Sequence, residues 1–363
     1  MWRQLCYKSR LPLTYRASSY NHVSRRFLSQ LAPQPVPEDI SSGRRYLNLL
    51  VGFCAGASIY FFLDDPRLSP LDRPTLTPRQ FISSKVLDNE PSGPNTKLLR
   101  LALPPHALPP AYSSDGSFDP IWSVYVKDDD IQVERAYTPL NGLESDGSML
   151  FWVKKYPKGE VGRWLHSKQP GDKIELRGPL KTWPWKADQW DEIVMISGGT
   201  GITPFVQLFN RVISRAPATS TTKYTLLHCS RVPEELPPPT LLKPLFDYSK
   251  EHPEKFNLHL FVDEQDGSNP PVPIPHINTG FINEKSLTKC LNPNKAEESW
   301  WKGKFSWTTS SSKEPPKKIL FLVCGPEGMV GAVAGPYGRN LSQGPVGGIL
   351  GKLGYTSDQV YKL

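Results

Sequence analysis

The spacing of apolar residues changes along this chain, and each change marks a different kind of element. Tyr46 to Leu63 (YLNLLVGFCAGASIYFFL) contains no charge. As a helix rising ~1.5 Å per residue it reaches about 27 Å, enough to cross a bilayer core. Gly52 and Gly56 within it form a small-xxx-small pair suited to a neighbouring helix. From Phe81 onward the apolar residues fall into short stretches broken by Gly, Pro, Asn and Asp. These are Phe81 to Leu87, Lys97 to Leu103, Ile121 to Val126, Ile131 to Tyr137, Met149 to Lys155 and Lys173 to Arg177. Short strands with such breakers predict a six-stranded antiparallel barrel. From Glu192 the texture becomes apolar strand, Gly-rich turn, helix: EIVMIS, GGTGITP, FVQLFNRVIS. Further buried-type strands follow at Tyr224 to Cys229, Asn257 to Val262 and Ile319 to Cys324. That is the α/β pattern of a doubly wound parallel sheet.

Composition sharpens the division. At 363 residues with 38 prolines the chain is long enough for two domains and ill suited to an all-helical fold. Pro66 to Pro78 reads as a tether, so the predicted parts are an amino-terminal segment at 1–37, a transmembrane helix at 46–63, a Pro-rich tether at 64–78, the barrel at 79–185 and the parallel-sheet domain at 190–363. Pro233 to Pro239, Pro270 to Pro275 and Trp301 to Lys317 read as surface insertions. The net charge of +8 is uneven: residues 1–45 hold eight basic and two acidic side chains, leaving the body nearly neutral. With no basic stripe interleaved with aromatics, nucleic acid is an improbable partner. The first 37 residues are cationic, acid-free and rich in hydroxyls, the composition of a mitochondrial transit peptide; a disordered basic tail is the other reading. Arg44 and Arg45 precede the apolar run, and Asp64 and Asp65 follow it. The positive-inside bias then predicts an inner-membrane protein whose body faces the intermembrane space. Five scattered cysteines give neither a disulfide framework nor a metal ligand set.

The candidate chemistry sits where strands end. Arg135, Ala136, Tyr137, Thr138, Pro139 and Leu140 offer a cation, an aromatic face and a hydroxyl along one strand edge. Such an edge can hold a flavin: Arg135 for a pyrophosphate, Tyr137 stacked on the ring, Thr138 donating to a ring nitrogen. Lys154 and Tyr156 lead into a turn at Gly159, with a short helix from about Val161 past Gly162, whose first amides suit a diphosphate. Gly199, Thr200, Gly201, Thr203 and Pro204 leave one strand and open a helix, the setting in which glycines let a dinucleotide phosphate approach the main chain. Cys324, Gly325, Pro326 and Met329 end the last clear strand.

In this order, RAYTPL, the Gly159 turn, GGTGITP and CGPEGM resemble the signature of the ferredoxin-NADP reductase superfamily, and IWSVYVKDDDIQVE before RAYTPL resembles cytochrome b5 reductases. The resemblance implies FAD and either NADH or NADPH as cofactors, with Thr138 and Cys324 in catalytic positions, the cysteine bordering the nicotinamide. Gly162 stands where that family usually carries Ser or Thr, and Glu327 and Leu363 also depart from its pattern. Ser230 and Arg231 follow a strand where the adenosine ribose is expected, and could hold a 2′-phosphate. No haem ligand pair or iron–sulfur cysteine spacing is present in the sequence, so the acceptor is expected to be another molecule, a haem protein or free haem. The leader, the span and the outward reductase body together resemble the fungal mitochondrial flavoproteins that serve cytochrome c import. That likeness implies support of haem attachment, with apocytochrome c and its haem lyase as partners. The alternatives are a general mitochondrial NADH-cytochrome b5 reductase, or an assembly protein whose flavin is structural.

Overall fold

The computed structural model describes residues 75–108, 118–128, 132–291 and 317–363. The expected transit peptide, the 46–63 span and most of the tether lie outside them, as do residues 301–316 of one expected insertion. Among the described residues no helix is long and apolar enough to cross a membrane.

The first domain is built from β1 (Ile82–Gly93), β2 (Thr96–Ala102), β3 (Trp122–Lys127), β4 (Glu134–Tyr137), β5 (Ser148–Lys154) and β6 (Lys173–Lys181), with α1 (Glu160–Ser167) between the last two. They pair antiparallel in the order β4-β3-β6-β1-β2-β5. The six antiparallel strands of the expected barrel are thus present, with β4 and β5 at the two ends of the hydrogen-bonded order. One face buries Val86, Leu99, Leu101, Val124, Val126, Met149, Phe151 and Leu176 together. Alternation drives this: in β1, Ile82, Ser84 and Val86 are buried while Ser83, Lys85 and Leu87 are exposed.

Three strand boundaries differ from expectation for local reasons. β1 runs on to Gly93 through Asp88, Asn89, Glu90 and Pro91. This polar arm pairs with β2, and Asn89 Nδ2 donates to Leu165 O and Lys168 O, satisfying carbonyls at the end of α1. β4 begins only at Glu134, because Gln132 adopts a left-handed φ of 58° that no strand continues through. β6 continues past Arg177 to Lys181 because Ser123 and Trp122 of β3 still pair with Leu180 and Lys181.

The second domain contains β7 (Glu192–Gly198), β8 (Lys223–Ser230), β9 (Phe256–Val262), β10 (Asn278–Thr279), β11 (Ile319–Cys324) and β12 (Val360–Lys362). They form a wholly parallel sheet in the order β10-β9-β8-β7-β11-β12. Every residue of β7 is buried, as a parallel strand covered on both faces requires. Ile193 and Met195 point to one face, where α2 (Thr203–Arg211) and α3 (Pro239–Glu251) pack through Phe205, Leu208, Leu241 and Leu245. Val194 and Ile196 point to the other, covered by α4 (Glu284–Leu291), α5 (Glu327–Ala334) and α6 (Gly348–Lys352). β10 and β12 are edge strands of two and three residues, too short to carry a periodic signal.

One expected surface insertion is corrected. Pro233, Leu236, Pro237 and Pro238 are buried, and Leu236 packs with Leu242, Leu260, Val262 and Val272. Pro233 to Pro239 thus leads into α3 as part of a small core, whereas Pro270 to Pro275 lies at the surface with only Val272 turned into that core. The two domains also share apolar packing, since Ile121, Leu140, Trp152 and Trp183 of the first join the cluster built on α2.

Candidate functional site

A cleft of about 580 Å³ opens where the ends of β4 and β5 face the carboxyl ends of β7 and β11. From the first domain it is lined by Arg135, Tyr137, Thr138, Lys154, Tyr156, Gly159 and Gly162, and from the second by Thr200, Gly201, Thr203, Pro204, Cys324, Gly325 and Pro326. A second cleft of about 540 Å³ shares Lys154, Tyr156 and Pro326 with it and adds Gly199, Met329, Ser230 and Arg231. Motifs up to 189 residues apart thus converge on two adjoining spaces. Pro139 is the exception among the expected residues: it is buried and lines neither cleft. Its carbonyl accepts from Gln207 Nε2 at 2.8 Å, so it anchors the strand end instead of facing a ligand.

Each half presents a different kind of surface. Arg135 and Ala136 are exposed on the edge strand β4, and the Arg135 guanidinium donates to Glu134 O at 2.8 Å. Tyr137 is half-buried; burial pushes its phenol up to about 12, although the Arg135 charge pulls the other way, so it stays a neutral aromatic face. In the parallel half the contacts are made by backbone. Gly199 turns at φ 52° with nothing within 4 Å of where a Cβ would stand, leaving its main chain open. Gly201 packs so closely beneath that an added Cβ would lie 2.4 Å from Cys324 O. Met329 supports the loop from behind, where a Cβ on Gly198 would come within 2.6 Å of its Sδ. Cys324 retains part of its surface toward the cleft, and burial raises its thiol to about 12, keeping it protonated.

Gly162 has a packing reason. A Cβ there would lie 2.9 Å from Lys154 O, so α1 approaches β5 more closely than a Ser or Thr would permit. The first turn of α1 lines the cleft through Glu160, Val161 and Gly162, with no hydroxyl at the last position.

Several site residues carried no motif. Trp152 lines the first cleft, and its buried indole Nε1 has no hydrogen-bond partner among the described residues. Gln207 of α2 is fully buried, accepting from Trp122 N at 2.8 Å as well as donating to Pro139 O. His228 is buried on β8 with its pKa pushed down to about 3 by burial. Only a polar residue inside an otherwise apolar strand or helix stripe signalled the last two.

The space, the open Gly199 main chain and the cation-plus-aromatic edge suit a flavin beside a dinucleotide. An antiparallel domain followed by a parallel one, sharing such a cleft, defines the ferredoxin reductase-like class of two-domain oxidoreductases. Residues 85–185 match the family described as oxidoreductase FAD-binding domain, and residues 195–335 the oxidoreductase NAD-binding domain. The chain is 33% identical over 287 residues to NADH-cytochrome b5 reductase 2 of Neurospora crassa, covering 78% of this chain and 73% of that protein. To the protein of the same name from Emericella nidulans it is 32% identical over 299 residues, covering 81% and 82%. It therefore belongs to the NADH-cytochrome b5 reductase family, with FAD and a nicotinamide nucleotide as its cofactors. The match to the Botryotinia fuckeliana protein of that name, at 34% identity over 63% of this chain, spans only 57% of the relative. In fold, the chain is similar to the cytochrome b5 reductase domain of Ulva prolifera nitrate reductase, with a TM-score of 0.56 and 20% identity over 80% of this chain and all of that one.

Proposed function

We propose that the protein is an FAD-dependent NAD(P)H oxidoreductase that passes electrons to haem iron. The observation that carries this reading is the single cleft lined by Arg135, Tyr137 and Thr138 on one wall and by Thr200, Gly201 and Cys324 on the other. Arg135 compensates the flavin's pyrophosphate charge, Tyr137 covers its ring and Thr138 donates to it. The backbone at Gly199 to Gly201 and the amino terminus of α2 receive the nucleotide phosphates. Cys324 sets the approach of the nicotinamide as a neutral thiol, and Trp152 and Leu363 narrow the cleft against water. Bound FAD would supply the link between a two-electron donor and one-electron acceptors, chemistry beyond any side chain.

The relatives' names point to cytochrome b5 as an acceptor of those proteins. Here the cationic leader at 1–37 and the charge-free run at 46–63 support a place in the mitochondrial inner membrane, facing the intermembrane space. That location favours haem or a haem protein engaged in cytochrome c maturation, with apocytochrome c and its lyase as neighbours. A general cytochrome b5 reductase is the second reading, favoured by those names.

The test uses the full-length protein in detergent. Bound flavin should bleach on addition of NADH or NADPH, and the reduced protein should transfer electrons to ferrihaem faster than to ferricytochrome b5. Arg135→Ala and Tyr137→Ala should each emerge depleted in FAD. Full flavin occupancy in both variants would overturn the site, and preference for cytochrome b5 would select the second reading.

A further inference from the structure

Asn89 owes its place to an irregularity in β1. The register with β2 shifts between Val86 and Asp88, so Val86 pairs with Leu101 and Asn89 with Leu99, two buried leucines, while Asp88 pairs with Arg100. The extra residue turns Asn89 onto the core face of the strand and leaves Asp88 and Glu90 exposed. There its Nδ2 donates to Leu165 O at 2.8 Å and to Lys168 O at 2.7 Å. An asparagine amide has two N–H donors, and both are spent on the carboxyl end of α1.

The same β1–β2 hairpin grips the other end of this wall. Asn95, in its turn, accepts through its carbonyl from Lys155 N at 2.7 Å, and Lys97 Nζ on β2 donates to His166 O at 2.9 Å. His166 Nε2 lies 3.0 Å from Val153 O, a contact that ties α1 to β5. Between these holds runs the stretch whose Lys154, Tyr156 and Glu160 to Gly162 line the first cleft. Neither Asn89 nor Lys97 lines either cleft.

The hold matters because α1 is weak by itself. It has eight residues, Gly162 among them, and Gly159 at its amino end supplies no side-chain cap. A glycine inside a helix costs about 1 kcal/mol, and a missing cap about another. What the amino end lacks is supplied at the carboxyl end, where Asn89 satisfies carbonyls that no further turn of helix would reach. We infer that Asn89 is a positioning residue for FAD: by fixing the carboxyl end of α1 it holds the first turn, Glu160 to Gly162, where the cleft receives the flavin's pyrophosphate. This rests on the reading that the first cleft takes FAD with its pyrophosphate against that turn.

The test depletes the full-length protein of flavin and titrates it with FAD and with riboflavin, which carries the ring and no phosphate, following flavin fluorescence. Asn89→Ala should weaken FAD by about tenfold, the size expected for two lost hydrogen bonds, and riboflavin by about twofold or less. Asn89→Asp, equal in size but without an N–H to donate, should behave as the alanine variant does. Lys97→Met should shift FAD the same way by about threefold, so the outcome does not hang on one variant's folding. If FAD and riboflavin weaken equally, Asn89 serves only the stability of its domain. That result, or unchanged FAD affinity in these variants, overturns the inference and leaves the cleft assignment standing. If the wild type binds riboflavin as tightly as FAD, no phosphate is recognised at this wall, and the cleft assignment fails with the inference.

Discussion

The two walls of the cleft are made by different means. The antiparallel wall displays side chains from an edge strand, where Arg135 and Ala136 project into the open. The parallel wall displays main chain at strand ends, where Gly201 lies against the Cys324 carbonyl. An exposed side chain such as Arg135 can be changed with little disturbance to its surroundings. On the second wall, function and packing share the same atoms.

The largest effect should expose that sharing. Gly201→Val places a Cβ where only 2.4 Å separates it from Cys324 O and 2.7 Å from Gly325 Cα, both backbone. We expect a stability loss of about 3 kcal/mol from overpacking. Gly199→Ala meets no atom within 4 Å and should lose only about 1 kcal/mol, from the strain of φ 52°. Equal losses in denaturant melts would show that the two glycines are not distinguished by packing. Next is the seam between the walls. Gln207→Leu strands Trp122 N and Pro139 O, and should cost about 2 kcal/mol while loosening the end of β4 enough to lower FAD retention. A melt matching the wild type would show that this residue does not join the walls.

A further effect, absent at neutral pH and seen only as the pH falls, lies within the parallel half. The folded pKa of His228 is pushed down to about 3 from an unfolded value of 6.5, so the unfolded chain takes up the proton first. Stability is therefore full above pH 6.5 and falls as pH drops toward 3, by at most about 1.4 kcal/mol per unit for one proton. His228→Phe should flatten that part of the profile, and an unchanged slope would assign it to carboxylates elsewhere.

Much of this architecture is legible in sequence because its signals are local. Alternation shows in β1, unbroken burial in β7, and the loop from Gly199 to Gly201 is read from its composition. The order of strand pairing is not local, since partners such as Val126 and Leu176 lie 50 residues apart. Pro139 was expected at the ligand because it stands in the motif, but what holds it is Gln207, on a helix of the other domain. Gly162 is a departure from a family pattern until α1 is seen against the Lys154 carbonyl. Glu235 accepts from both Lys154 and Arg231, a cluster with no spacing signal, as one member comes from the far domain.

α2 deserves a mechanical reading. Its first residues, Thr203 and Pro204, sit at the floor of the cleft. On its next turns Gln207 grips Pro139 O, and Asn210 donates to Leu140 O at 3.2 Å and to Asn141 Oδ1 at 2.9 Å. Nine residues of helix, about 13 Å long, thus act as a common ruler for both walls. Any displacement of this rod would carry the strand end at Pro139 to Asn141 and the cleft lining at Thr203 and Pro204 together, so the spacing of the two walls is set by one rigid element.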